Sequence, residues 1–457
     1  MFTLLFSVLF LTIALLNPQT VLAHGIGQTY TLPLPLWLYL WASAAVVLLS
    51  FIVISAFFGK AKSNDFKKPQ FSVPIPGVFK IFARVLSLFL LFLIIISGVF
   101  GSQYPSLNFS PNFFWSVFII FFVVSSAMFG NWWQFLNPVK ITYTLLSKVS
   151  KNKISLNVFY PKILSFWPAV LFYFAFIWVE LVSGFSDRPR LLSILIALYA
   201  TFLLWGMSLY GEIFLKKAGF LTVFASLLSR ISLFEYRKSR LFLVNPLKKI
   251  TSTNKIDFSL AVFIILTLAG VAFDSFSESP VFYSIAKFFG IGNIDYELLK
   301  TIGLTVMVLP FITLYFLFLY LGNLVVVQKY KLSDLASYFA ISLVPISVAY
   351  YIAHFYPLFI VGAQNVARIS AGLLGFKISE TARANLALID PGLVWYLQIV
   401  IIIAGHVLAV LFAHQIALKI YKMKKDAIIA QFPITALMVT YTVFSLWLLS
   451  QPIVVSP

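Results

Sequence analysis

Apolar runs of about twenty residues alternate along this chain with short polar stretches, ten times after an apolar N-terminal segment. A bilayer's hydrocarbon core takes about 20 residues of α-helix. The runs therefore predict spanning helices over 34 to 58, 85 to 102, 113 to 133, 163 to 184, 191 to 214, 258 to 278, 301 to 326, 336 to 360, 394 to 418 and 427 to 449. Before them, LLFSVLFLTIALL runs into NPQTVLA, with small or β-branched residues three and one before a cut. That pattern predicts a signal peptide over 1 to 23, cleaved between Ala23 and His24, and a single transmembrane helical domain over 24 to 457. No Lys or Arg precedes the apolar run, which keeps an uncleaved first anchor as the alternative.

Composition agrees with the pattern. Hydrophobic residues make up 61% of the chain and charged residues 10%, which excludes an ordinary soluble domain. The expected fold class is all-α, a polytopic transmembrane helix bundle. With no cysteine, disulfides, thiolate metal ligands and a Cys nucleophile are excluded, so nitrogen and oxygen must hold any metal. The chain carries no Gly-rich phosphate loop, no H-E-x-x-H and no G-x-S-x-G, and so lacks the usual marks of nucleotide hydrolysis, zincin chemistry and the α/β-hydrolase mechanism.

The net charge of +19 is a matter of topology. With the mature N-terminus outside, 26 of the 33 Lys and Arg fall on the cytoplasmic side, and only Arg188, Arg190, Lys287, Lys300, Arg368, Lys377 and Arg383 lie outside. Both mature termini are then external. Basic loops such as KKAGFLTVFASLLSRISLFEYRKSR are expected against anionic lipid headgroups rather than nucleic acid. Within the cytoplasmic-surface segment 216 to 257, FLTVFASLLSRISLF reads as a helix lying along the membrane surface.

Ionisable groups inside spans are costly, so each needs a reason. In the eighth segment, SVAYYIAHFYPLF places His354 a turn after Tyr350 and Tyr351, and Pro357 frees the carbonyl of Ala353 beside it. The ninth segment sets Gln398, His406 and His414 at eight-residue intervals, a polar stripe loosely on one face, with Gly405 admitting a close neighbour beside His406. His414, nearer the cytoplasmic end, reads first as a snorkelling or capping residue and only second as functional. GVAFDSFSES puts Asp274 and Glu278 on one helix face, a spacing for two oxygen ligands or an acid and base pair. Glu180 holds the matching end of the fourth segment, and Gln364 and Asn365 are further polar partners near the outer surface. A new N-terminus at His24 would offer an amine and an imidazole nitrogen together, a chelating pair for a copper-like ion. Each of these groups also has a structural reading, as a hydrogen-bonded core residue or a solvated surface acid.

The mature start HGIGQTYTLPLPLWLY, then GNWWQFLNP, FWPAVLFYFAFIWVELV, YGE at 210 to 212, AFDSFS, AHFY and GHVLAVLFAH resemble, in their order, bacterial multi-pass membrane proteins of the fenitrothion hydrolase family. The likeness runs through most of the mature chain. It implies hydrolysis of an organophosphate triester, with His24, His354, His406 and His414 matching the recurrent histidines. Two departures stand out. Phe355, Tyr356 and Pro357 follow His354 where the family has Tyr before Phe and no proline, and Gln415 and Ile416 follow His414 where it has an acid and an arginine.

The expectation is thus a bacterial cytoplasmic-membrane protein with an outward-facing His and carboxylate site. His24, His354 and His406 would bind a divalent metal, copper or zinc, with Asp274 or Glu180 as base toward a small apolar ester. The alternatives are a transporter of metal ions, protons or a small solute, and a metal-free subunit of a larger membrane complex. Proline-bearing segments do not recur at matching positions of two inverted halves, which weighs against one common transporter plan.

Overall fold

A computed structural model describes residues 20–23, 28–59, 71–151, 154–156, 158–237, 239–252, 255–288, 295–376 and 384–451. His24 and the segment 1–19 lie outside the described residues. The principal helices are α1 (Leu36–Phe57), α2 (Gly77–Phe100), α3 (Phe109–Phe129), α4 (Trp167–Leu181), α5 (Pro189–Tyr210), α6 (Phe258–Ser277), α7 (Tyr296–Leu324), α8 (Val344–Leu373), α9 (Pro391–Ile420) and α10 (Lys424–Leu449). A helix over Leu332–Phe339 and a 3₁₀ turn over Ala340–Leu343 lead into α8.

Nine of these stretches are long and apolar enough to cross a membrane among the described residues, which makes the chain an all-α multi-pass membrane protein. The fourth segment departs from the ten expected spans. Its helix has 15 residues, about 22 Å at 1.5 Å per residue and shorter than a bilayer core. Ser165 turns the chain at φ 36° just before it, Pro168 fixes its first turn, and Gly184 takes φ 60° just after it.

Chain contacts divide the molecule into two compact units, one of Met1–Ala61, Thr253–Leu358 and Leu386–Pro457, the other of Lys62–Ser252 and Phe359–Asn385. In the first, α10 packs on α1, α7 and α9, while α6 packs on α7 and on the turn before α8. A short hairpin of β1 (Thr20–Ala23) and β2 (Gln28–Thr31) packs against α9. Almost every residue of α6 is buried, from Ser259 to Ser277. That burial explains why SLAVFIILTLAGVAF is apolar on all sides rather than on one stripe. Asp257 caps its start by accepting from the Ser259 amide at 2.9 Å.

The second unit holds α2 to α5 and a three-stranded antiparallel sheet, β3 (Ser72–Pro74), β4 (Phe234–Arg237) and β5 (Arg240–Leu243), in the order β3-β5-β4. The segment FLTVFASLLSRISLF divides here: Phe220–Leu228 is helical, and the chain then turns into β4 at Phe234. The apolar side chains of this helix are not spread on a surface. Phe220 and Phe224 lie against Tyr173, Phe176 and Phe122, ring against ring with α3 and α4.

Candidate functional site

The apolar length of α6 ends in the polar stretch Asp274 to Glu278, still inside the first unit. Facing it, Tyr350 and His354 sit one turn apart on α8, on the same helix face. His354 Nε2 is 2.8 Å from Asp274 Oδ2, and its Nδ1 is 3.1 Å from Ser275 Oγ. The Tyr350 hydroxyl donates to the same Ser275 oxygen at 2.8 Å. Ser275 is fully buried, and Tyr350, His354 and Asp274 are 3, 8 and 9% exposed.

These contacts make one directed chain. A neutral imidazole that donates Nε2–H to the Asp274 carboxylate leaves Nδ1 to accept the Ser275 hydroxyl proton, and Ser275 in turn accepts from Tyr350. Each hydrogen is used once. Glu278, which closes α6, stands one turn beyond Asp274 and is partly exposed. Asp274, His354 and Lys300 are its electrostatic neighbours, and Tyr296 lies close enough to feel its charge.

The neighbouring helix α9 supplies a further contact. Its Gln398 donates through Nε2 to the carbonyl of Ala353 at 3.1 Å, the carbonyl that Pro357 leaves without a helical partner. His406 is fully buried and turns inward on its own helix, with Nδ1 2.8 Å from the Ile402 carbonyl. Because a carbonyl only accepts, the proton is on Nδ1. Nε2 is then a bare lone pair with no hydrogen-bond partner among the described residues.

His414 is also fully buried and stands between two acceptor oxygens: Nε2 lies 3.0 Å from the Phe58 carbonyl and Nδ1 3.1 Å from Gln431 Oε1, so a neutral ring, with one N–H, donates to one of them. This is the capping role that its place near the end of α9 allows.

Of the residues expected from the sequence, Asp274 and His354 meet directly. Glu180 lies on α4 and belongs to the second unit, as do Gln364 and Asn365. His24 is outside the described residues, so the terminal chelate has no geometry here. Among the described residues, no group of three or more His, Asp or Glu gathers as metal ligands would. Both ring nitrogens of His354 are engaged, so a metal there would have to displace Asp274 or Ser275.

Ser275 escaped the sequence reading. Its one signal was adjacency to Asp274, and a serine in a helix ordinarily bonds its own backbone.

Comparison with protein-family models, with curated proteins and with solved structures finds no match for this chain. What fold and site together define is a multi-pass helical membrane protein with a buried Asp–His–Ser–Tyr hydrogen-bond chain in one of its two units.

Proposed function

We propose that this chain is a bacterial cytoplasmic-membrane protein that couples proton uptake at His354 and Asp274 to the movement of a small solute. The observation that carries the reading is the unbroken chain from Tyr350 through Ser275 and His354 to Asp274. Ionisable groups held inside apolar helices mark proton relays and ion paths more often than structural cement. In this reading Glu278 passes protons between the outer water and Asp274, which exchanges them with His354 Nε2. Ser275 and Tyr350 hold Nδ1 and carry the proton onward by reorienting their hydroxyls. The site faces outward, following the distribution of basic residues.

A second reading is favoured by one feature. Asp274, His354 and Ser275 bond one another in series as the members of a hydrolytic triad do, with the ring nitrogens exchanged: the acid is on Nε2 and the hydroxyl on Nδ1. An apolar ester, the substrate that the fenitrothion hydrolase resemblance implies, would then be attacked by Ser275 Oγ as His354 takes its proton. Full burial of Ser275 and its bond from Tyr350 weigh against that role. A divalent metal, copper or zinc, would serve the same ester chemistry only after His354 had given up one of its present partners.

The test is proton uptake by the purified protein on a pH jump, followed with an indicator dye. Wild type should take up protons that His354→Gln and Asp274→Asn do not, while Ser275→Ala retains uptake at a slower rate. Equal uptake by wild type and His354→Gln would overturn the proton reading. Ester hydrolysis abolished by Ser275→Ala would establish the second one.

A further inference from the structure

We propose that Gln398 is a positioning residue for His354, acting through the one backbone carbonyl that Pro357 leaves open. The inference rests on the reading of His354 as the proton-exchanging group, and its test is independent of any transport assay.

Proline has no N–H, so at position 357 it cannot serve the carbonyl four residues back, that of Ala353. Ala353 has no exposed surface, and a buried carbonyl without a partner is costly. Water does not reach it. The partner comes from another helix: Gln398 of α9, itself 1% exposed, donates through Nε2 at 3.1 Å. A buried amide is equally costly unless bonded, so proline and glutamine each supply what the other needs.

The placement gives the pair its consequence. Ala353 immediately precedes His354, so the bond ties the backbone that carries the imidazole to α9, while Asp274 and Ser275 hold the ring from α6. An ordinary helical bond at 353 would hold this backbone to α8 alone. With Gln398, the height and rotation of His354 over Asp274 depend on three helices. Replacing the glutamine leaves every group of the proton chain present and shifts only where the ring sits.

The experiment uses the full chain in detergent, with ¹⁵N-labelled histidine. The protein has four histidines, and His354→Gln assigns the His354 signal by its loss. The readout is solvent exchange of the His354 Nε2 proton. In Gln398→Met, similar in size but with no donor, exchange should quicken by about tenfold, the factor that one net hydrogen bond of about 1.4 kcal/mol represents. In Pro357→Ala the residue at 357 regains an N–H for the Ala353 carbonyl. Adding Gln398→Met to that background should then leave exchange unchanged. Unaltered exchange in Gln398→Met overturns the proposal, as does faster exchange in the double variant than in Pro357→Ala alone. Should Gln398→Met fail to fold, the comparison of Pro357→Ala with the double variant decides: equal exchange supports the proposal, and faster exchange in the double variant refutes it. Failure of proton uptake in wild type would instead remove the functional reading and leave the positioning result standing.

Discussion

The Nε2 of His414 stands 3.0 Å from the carbonyl oxygen of Phe58, the residue that closes α1. Through Nδ1 the same ring meets Gln431 Oε1 on α10, whose amide nitrogen donates to the Ala427 carbonyl. One imidazole, itself fully buried, thus stands between three helices and as a neutral ring donates to one of these two oxygens. His414→Ala should cost about 1–3 kcal/mol, the range for leaving a buried polar group unpaired. His414→Gln, which keeps a donor, should cost less. Thermal unfolding in detergent measures both, and an alanine variant as stable as wild type would refute that contribution.

Asp274 and His354 should behave as a coupled pair. Removing either partner leaves the other buried with an unmet charge or donor, a loss of about 3–5 kcal/mol. The double variant Asp274→Asn, His354→Gln should lose less than the single losses combined, by a coupling of about 1–3 kcal/mol. Additive losses would mean that the 2.8 Å contact contributes nothing to the folded state.

Gly405 meets the first turns of α8 at very close range. A Cβ placed on it would lie 2.3 Å from the Ala349 Cβ and 2.9 Å from the Pro345 carbonyl, so Gly405→Ala has to push two helices apart. Overpacking of this kind costs about 1–3 kcal/mol. The alanine variant should melt lower than wild type in detergent, and an unchanged melting temperature would show that the contact yields without strain.

His406, beside it, predicts the opposite sign. Its bare Nε2 is a buried acceptor with no partner among the described residues, so His406→Leu should be neutral or stabilising by about 1 kcal/mol. A loss of more than about 2 kcal/mol would reveal a partner or bound ligand on that nitrogen.

Lys249 sets a pH dependence in the second unit. Its ammonium is within 3.1 Å of the Ser229 carbonyl, 2.9 Å of the Ser232 and Phe234 carbonyls, and 2.7 Å of Ser232 Oγ. Burial pushes it down to about 8, with the charge of Glu235 working the other way and that of Arg237 adding to the fall. The folded value is thus below that of a free lysine. Between the two, the unfolded chain holds a proton that the folded chain has released, so stability rises with pH across the window from about 8 to about 10.4. Below it the cost of burying the charge is present in full. Resistance to proteolysis around Ser229 to Ser252 should increase over that range in wild type and stay flat in Lys249→Met.

The proposed orientation has a direct test, since the chain has no cysteine to confuse it. Single cysteines at Lys67, Lys151, Lys238 and Lys424 should resist an impermeant reagent applied from outside, because the proposed orientation puts these basic loops in the cytoplasm. Labelling of all four from outside would invert the site.

The amino-acid sequence alone determined the class of this protein, the order of its apolar helices and the small set of polar groups inside them. It also determined that Pro357 would leave the Ala353 carbonyl open. These follow from local free energies: the transfer of about twenty side chains into a bilayer and the missing N–H of one proline. Tertiary structure decided which polar groups meet. Ser275 became the second partner of His354, Gln398 turned out to fill the open carbonyl, and His406 faced its own helix. The same packing buried the aromatic face of Phe220–Leu228 among α3 and α4. The physical reason is rotational: hydropathy places a residue along a helix axis, while the face it presents depends on how neighbouring helices turn. That turning is fixed by contacts far apart in the chain, such as Gly405 against Ala349, which no local pattern contains.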